Sequence, residues 1–169
     1  MKKLLFLTVM FVTAFAVGAQ DQFSAFLSDD DTIANIYNRP CGEVVITLSW
    51  EELYVFELAT PCDGWWRVVS FWNAENCDED TSLEGSDTNE YWIHYSLLGI
   101  YTRNYGGETL YLRSSPDEEA DVVATFNEEM LFRPMDMQDD WVKVMLDNTD
   151  IVGWIEVEWL CSNPLTNCS

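Results

Sequence analysis

The sequence predicts an all-β protein in which one small arrangement of short strands, a sandwich or a barrel, is built twice. Three observations carry this. First, apolar residues recur at every second position in short runs rich in β-branched and aromatic side chains, as in Val44-Val45-Ile46-Thr47-Leu48, Trp65-Trp66-Arg67-Val68-Val69 and Trp141-Val142-Lys143-Val144. Second, turn-forming clusters punctuate the runs: Asn38-Arg39-Pro40, Pro61-Cys62-Asp63-Gly64, Gly106-Gly107 and Asp147-Asn148. Third, the order of parts in the first half returns in the second.

The chain opens with an export signal over residues 1–19. Lys2 and Lys3 precede a 14-residue run, residues 4–17, that is apolar apart from two threonines, and Val17-Gly18-Ala19 supplies small residues for cleavage. Fourteen residues are short of the roughly 18 that span a bilayer. Residues 20–30, with Phe23, Phe26 and Leu27, read equally as an extra strand or as a loose arm. Repeat one begins with Ala34-Asn35-Ile36-Tyr37 and continues through Val44-Val45, Glu51-Glu52-Leu53 and Gly64-Trp65-Trp66-Arg67-Val68 to Tyr91-Trp92-Ile93-His94-Tyr95-Ser96-Leu97-Leu98. Repeat two begins with Leu110-Tyr111-Leu112-Arg113-Ser114-Ser115-Pro116. It continues through Val122-Val123, Glu128-Glu129-Met130 and Asp140-Trp141-Val142-Lys143-Val144 to Gly153-Trp154-Ile155-Glu156-Val157-Glu158-Trp159-Leu160. The closing segments align without a gap. Trp154 lies 13 residues after Trp141, whereas Trp92 lies 27 after Trp65, so repeat one carries an acidic insert over residues 76–90 where repeat two has a tight hairpin.

Charge narrows the function. Without the signal lysines, 6 basic residues face 30 acidic ones, a charge of −24 over 150 residues. Such a surface repels phosphate backbones and anionic leaflets, so neither nucleic acid nor a membrane is an expected partner. The charge does not imply disorder, because disordered acidic chains lack aromatics, and this one holds 8 Trp, 7 Tyr and 9 Phe.

The repeats resemble the bacterial SH3-type domains of exported and cell-wall-associated proteins. Repeat two carries the likeness best, with its Leu-x-Leu-Arg-Ser-x-Pro opening, Val-Val strand, Asp-Trp-Val-Lys-Val strand and Gly-Trp-Ile closing strand. Repeat one departs from it at Tyr37 and Tyr91 and in its enlarged hairpin. The resemblance implies two tandem SH3-like small barrels, at residues 28–103 and 106–161, followed by a tail over residues 162–169, and the short sequence between them, Tyr101 to Gly107, suggests that they pack as a rigid pair. In such barrels Ala34, Ile36, Val45, Trp66, Val68 and Ile93 point inward, as do Leu110, Leu112, Val123, Val142, Val144 and Ile155.

Export favours paired thiols. Cys161 and Cys168 follow the last strand and are placed to clip the tail, and the resembled fold, in which their loops flank one groove, favours Cys41–Cys62. Cys77, in the insert, is then left over. No CxxC or paired His points to zinc. Asp78-Glu79-Asp80 starts like a calcium loop, but Leu83 stands where glycine is needed and Asn89 where a bidentate Glu is needed, so a solvated loop is the favoured reading and no metal or cofactor is expected.

Catalysis is not expected either. HExxH, GxSxG and phosphate-cradling glycine loops are absent, and the one histidine, His94, reads as an exposed sheet residue in the position of Glu156. Relatives of the resembled fold bind ligands in a groove at the central-strand Trp. Trp65 and Trp141 match it, Trp159 matches the closing aromatic, and His94 or Glu156 stands at the proline position, so the matched residues do not support proline-helix recognition. Trp92 and Tyr95, at strand ends or on faces opposite the expected core, join Trp65, Trp141 and Trp159 as the candidate ligand-binding residues. The expected function is a non-catalytic binding module in the periplasm or outside the cell, taking cell-wall peptide or an envelope protein, with a cationic ligand favoured. Two rival readings remain: a scaffold that self-associates through exposed aromatics, and a secreted inhibitor or effector that uses the acidic loop.

Overall fold

The computed structural model describes residues 22–28, 33–49, 51–75, 81–82 and 90–168; the export signal, Cys77 and most of the acidic insert lie outside them. The described residues form strands and two 3-10 turns, with no α-helix among them. Repeat one comprises β1 (Phe23–Leu27), β2 (Ala34–Tyr37), β3 (Val44–Leu48), β4 (Tyr54–Cys62), β5 (Trp65–Asn73), β6 (Thr81–Ser82), β7 (Trp92–His94), a 3-10 turn (Tyr95–Leu97) and β8 (Leu98–Thr102). Repeat two comprises β9 (Leu110–Arg113), β10 (Val122–Phe126), β11 (Leu131–Gln138), β12 (Trp141–Leu146), β13 (Val152–Glu156), a 3-10 turn (Val157–Trp159) and β14 (Leu160–Cys161).

Local chemistry sets the turns. Pro61 and Cys62 extend β4, and the hairpin to β5 is made by Asp63 and Gly64 alone, at φ 49° and 82°. Two consecutive left-handed residues match the twist of the flanking strands, which is why Asp-Gly suits a two-residue hairpin. Asn148 takes the same region (φ 56°) in the turn from β12 to β13.

The repeat seen in the sequence is a repeat of strand order. The hydrogen-bonded path runs β10-β9-β13-β12-β11-β8-β1-β4-β5-β7-β2-β3. Leaving β8 and β1 at its middle, each arm continues in equivalent order: β11, β12, β13, β9, β10 on one side and β4, β5, β7, β2, β3 on the other. Register agrees residue by residue. Tyr37 pairs with Trp92 as Arg113 pairs with Trp154, and Trp65 pairs with His94 as Trp141 pairs with Glu156.

All pairings are antiparallel, and the ladder is continuous rather than divided into two separately closed barrels. The cause is β8. Its Leu98 and Gly99 pair with β1, its Ile100 and Tyr101 with β11, and its Tyr101 and Thr102 with β14. One strand thus serves both repeats. Gly99 permits it, since a Cβ there would lie 2.4 Å from the Cβ of Ser28. Residues 23–27 form a strand, not an arm, and β1 inserts between β4 and β8.

One buried apolar cluster spans both repeats. Of the twelve residues expected to face inward, ten are buried. Val45 and Val123 are the exceptions, at 44% and 47% exposure. The register shifts between Ile36 and Tyr37 on one hairpin and between Val122 and Ala124 on the other, and these bulges reverse the phase of the outer strands. Ile46 and Ala124 pack on the core in place of the valines.

Two side chains tie the halves together. Trp66, fully buried, stacks on Phe23 with ring centroids 5.4 Å apart and donates its indole N–H to the carbonyl of Pro134 at 2.9 Å. Arg133 on β11 donates to the carbonyls of Ser28, Ser96 and Leu98 and pairs with Asp147 at 2.8 Å. The link between repeats is pinned by buried Asn104, whose amide donates to the carbonyls of Glu108 and Glu128.

Candidate functional site

Repeat two contains an acidic cleft of about 420 Å³, flanked by Trp141 and Trp159. Cross-strand pairing sets Trp141, the first residue of β12, opposite Glu156, the last of β13. The backbone N–H of Val157 then donates to the Asp140 carbonyl at 2.8 Å, starting the 3-10 turn that brings Glu158 and Trp159 to the same cleft. The facing wall is the loop between β9 and β10. Ser114 bonds Asp121 across its base at 2.9 Å, and the Asp117 carboxylate accepts from the Glu119 N–H at 2.8 Å. Glu118 and Glu119 complete a lining of four carboxylates, against which stands a single guanidinium, that of Arg113.

Trp65, Tyr95 and His94 meet elsewhere, in repeat one. Trp65 takes the edge of Tyr37 at 5.2 Å and lies 5.0 Å from the His94 ring, which in turn lies 4.6 Å from Tyr95. These rings pack on one another. His94 is half-buried rather than exposed, with the Trp65 and Tyr95 rings against it. Burial lowers its pKa from 6.5. Its Nδ1 accepts from the Ser96 N–H at 3.4 Å and meets the Ser96 hydroxyl at 2.8 Å, which leaves the neutral ring's proton on Nε2.

The structure therefore brings Trp141 and Trp159 together and places Trp65 and Tyr95 in a different cluster. Trp92 is only 7% exposed and donates its indole N–H to Glu90 at 3.2 Å, so most of its ring packs inside the repeat. Sequence reading missed Arg113, Glu118 and Glu119 as cleft residues. Their signal was the acidic run after Pro116 beside the Leu-Arg-Ser opening, a run overshadowed by the longer acidic insert. A further cavity, about 400 Å³, lies between Trp72 and the C-terminal loop and has no ionisable side chain in its lining.

The Cys161–Cys168 disulfide is formed, with Cα atoms 5.6 Å apart. The other expected bridge is not: Cys41 and Cys62 are free and exposed. Cys62 ends β4 and Cys41 follows β2, and β5 and β7 stand between those two strands in the ladder. This disulfide fits an oxidising compartment. Among the described residues no helix is long and apolar enough to cross a membrane.

Fold and cleft together define an all-β protein of two equivalent strand sets with one acidic, tryptophan-flanked cleft. No family model and no curated protein matches the chain. Among solved structures it is similar to NlpC2 from Trichomonas vaginalis, with 15% identity and a TM-score of 0.32 over 85% of this chain and 49% of that one. It is also similar to NlpC1 from the same organism, with 15% identity and a TM-score of 0.31 over 91% of this chain and 50% of that one. The chain spans about half the length of each, and likeness at this level carries no argument about activity.

Proposed function

We propose that the chain is an exported, non-catalytic binding module made of two SH3-like barrels fused through β8, with repeat two holding the ligand. The ligand is a cationic group on a cell-wall peptide or on an envelope protein. One observation carries this reading: Trp141 and Trp159 flank a cleft with four glutamates on its walls. Aromatic faces and carboxylates both attract an ammonium or guanidinium group, and the negative field of the whole chain draws such a ligand in.

The SH3-like assignment is supported by the strand order β8-β1-β4-β5-β7 and its counterpart β14-β8-β11-β12-β13, each with a 3-10 turn before the closing strand. Repeat one is the structural partner. His94, Ser96 and Leu97 stand where repeat two has Glu156, Glu158 and Trp159, and Tyr37 and His94 pack against the Trp65 ring. The scaffold reading needs exposed aromatics, and among the described residues those are Tyr105 and Tyr111 rather than any tryptophan.

The test is calorimetric titration of a cell-wall peptide bearing a free amine, beside the same peptide with the amine acetylated. Trp141→Ala and Trp159→Ala should each weaken binding of the free amine at least tenfold, and acetylation should do the same to the wild type. Equal affinity for both peptides, or no loss in either variant, would refute the assignment.

A further inference from the structure

We infer that the repeat-two cleft is built for a ligand bearing both charges, a peptide whose C-terminal residue is basic and whose α-carboxylate is free. The inference rests on the cation reading above and adds a second recognition element, Arg113.

Arg113 lines the same cleft as Glu118, Glu119, Glu156 and Glu158, yet it forms no ion pair among the described residues. One N–H goes to the Ala120 carbonyl at 3.0 Å, and the guanidinium lies over the Tyr111 ring, 5.4 Å from its centroid. A guanidinium has five N–H donors in a rigid fork suited to a carboxylate. With a backbone carbonyl and an aromatic face fixing its orientation, Arg113 keeps donors for an incoming anion while the glutamates stay unpaired for a cation.

A single ligand residue satisfies both. In a C-terminal lysine the ammonium and the α-carboxylate sit at opposite ends of a four-carbon stem, and that stem suits the faces of Trp141 and Trp159. A cleft of about 420 Å³ holds one such side chain with its terminus. A free carboxylate would otherwise be repelled by a chain this acidic, so Arg113 is what admits it.

The test is titration at 150 mM salt with three N-acetylated tetrapeptides: one ending in lysine with a free carboxylate, its C-terminal amide, and one ending in norleucine with a free carboxylate. Wild type should prefer the free lysine peptide to its amide by on the order of tenfold. In Arg113→Gln that preference should vanish while the amide binds as it does to wild type, and Arg113→Lys should restore part of it. Arg113→Gln weakening the acid and the amide alike would make Arg113 a support for the β9–β10 loop and overturn the inference. So would wild type binding both equally. Norleucine binding as well as lysine would instead sink the cation reading underneath, a distinct outcome.

Discussion

Trp66→Phe tests the claim that the two repeats share one core. Trp66 is fully buried, and its indole N–H satisfies the Pro134 carbonyl on the other repeat at 2.9 Å. Phenylalanine keeps the contact with Phe23 but leaves that carbonyl without its donor, at about 1–3 kcal/mol. The smaller ring gives up on the order of 40 Å² of buried apolar surface, about 1 kcal/mol at ~25 cal/mol per Å². The sum is about 2–4 kcal/mol, or a drop in Tm of about 5–12 °C for a domain of this size. Urea denaturation followed by circular dichroism should show one transition in the wild type, a lower midpoint in the variant, and a cost well above that of Trp65→Phe next door. Trp65 is only half-buried and its edge contacts are with Tyr37 and His94. Equal costs for the two substitutions, or two separate wild-type transitions, would refute the shared core.

The disulfide and His94 supply the remaining tests. Cys161–Cys168 closes a loop of sequence separation 7; by the chain-entropy relation the double serine variant should lose about 2.5 kcal/mol and about 5–10 °C in Tm by scanning calorimetry. Cys41→Ala with Cys62→Ala should leave Tm unchanged, and a loss matching that of the tail pair would mean they bridge in solution. His94, its pKa lowered by burial, binds fewer protons folded than unfolded. Its contribution is therefore complete above pH 6.5 and is lost as pH falls from 6.5 toward the lowered folded value. The Tm of wild type minus that of His94→Gln should shrink between pH 8 and pH 5; a difference that ignores pH contradicts the assigned environment.

What sequence alone determined is whatever depends on the phase of a strand. Period-two alternation placed Ile36, Trp66, Ile93, Leu112, Val142 and Ile155 inside, and the alignment of closing segments foretold that His94 and Glu156 would occupy equivalent register positions. The resemblance, rather than strand phase, set Trp141 and Trp159 beside one groove, and the short spacing of Cys161 and Cys168 announced their bond.

Tertiary structure decided the rest. A single extra residue in each outer hairpin turned Val45 and Val123 to solvent, and periodicity does not register where a bulge falls. The loop glutamates joined the cleft only because β9 packs beside β13. Likewise β8 pairs with β1 on one edge and with β11 on the other, uniting two repeats in one ladder. Backbone hydrogen bonds are the same for every residue type but proline, so side chains specify which face a strand buries, while its neighbours are chosen by how the whole chain closes.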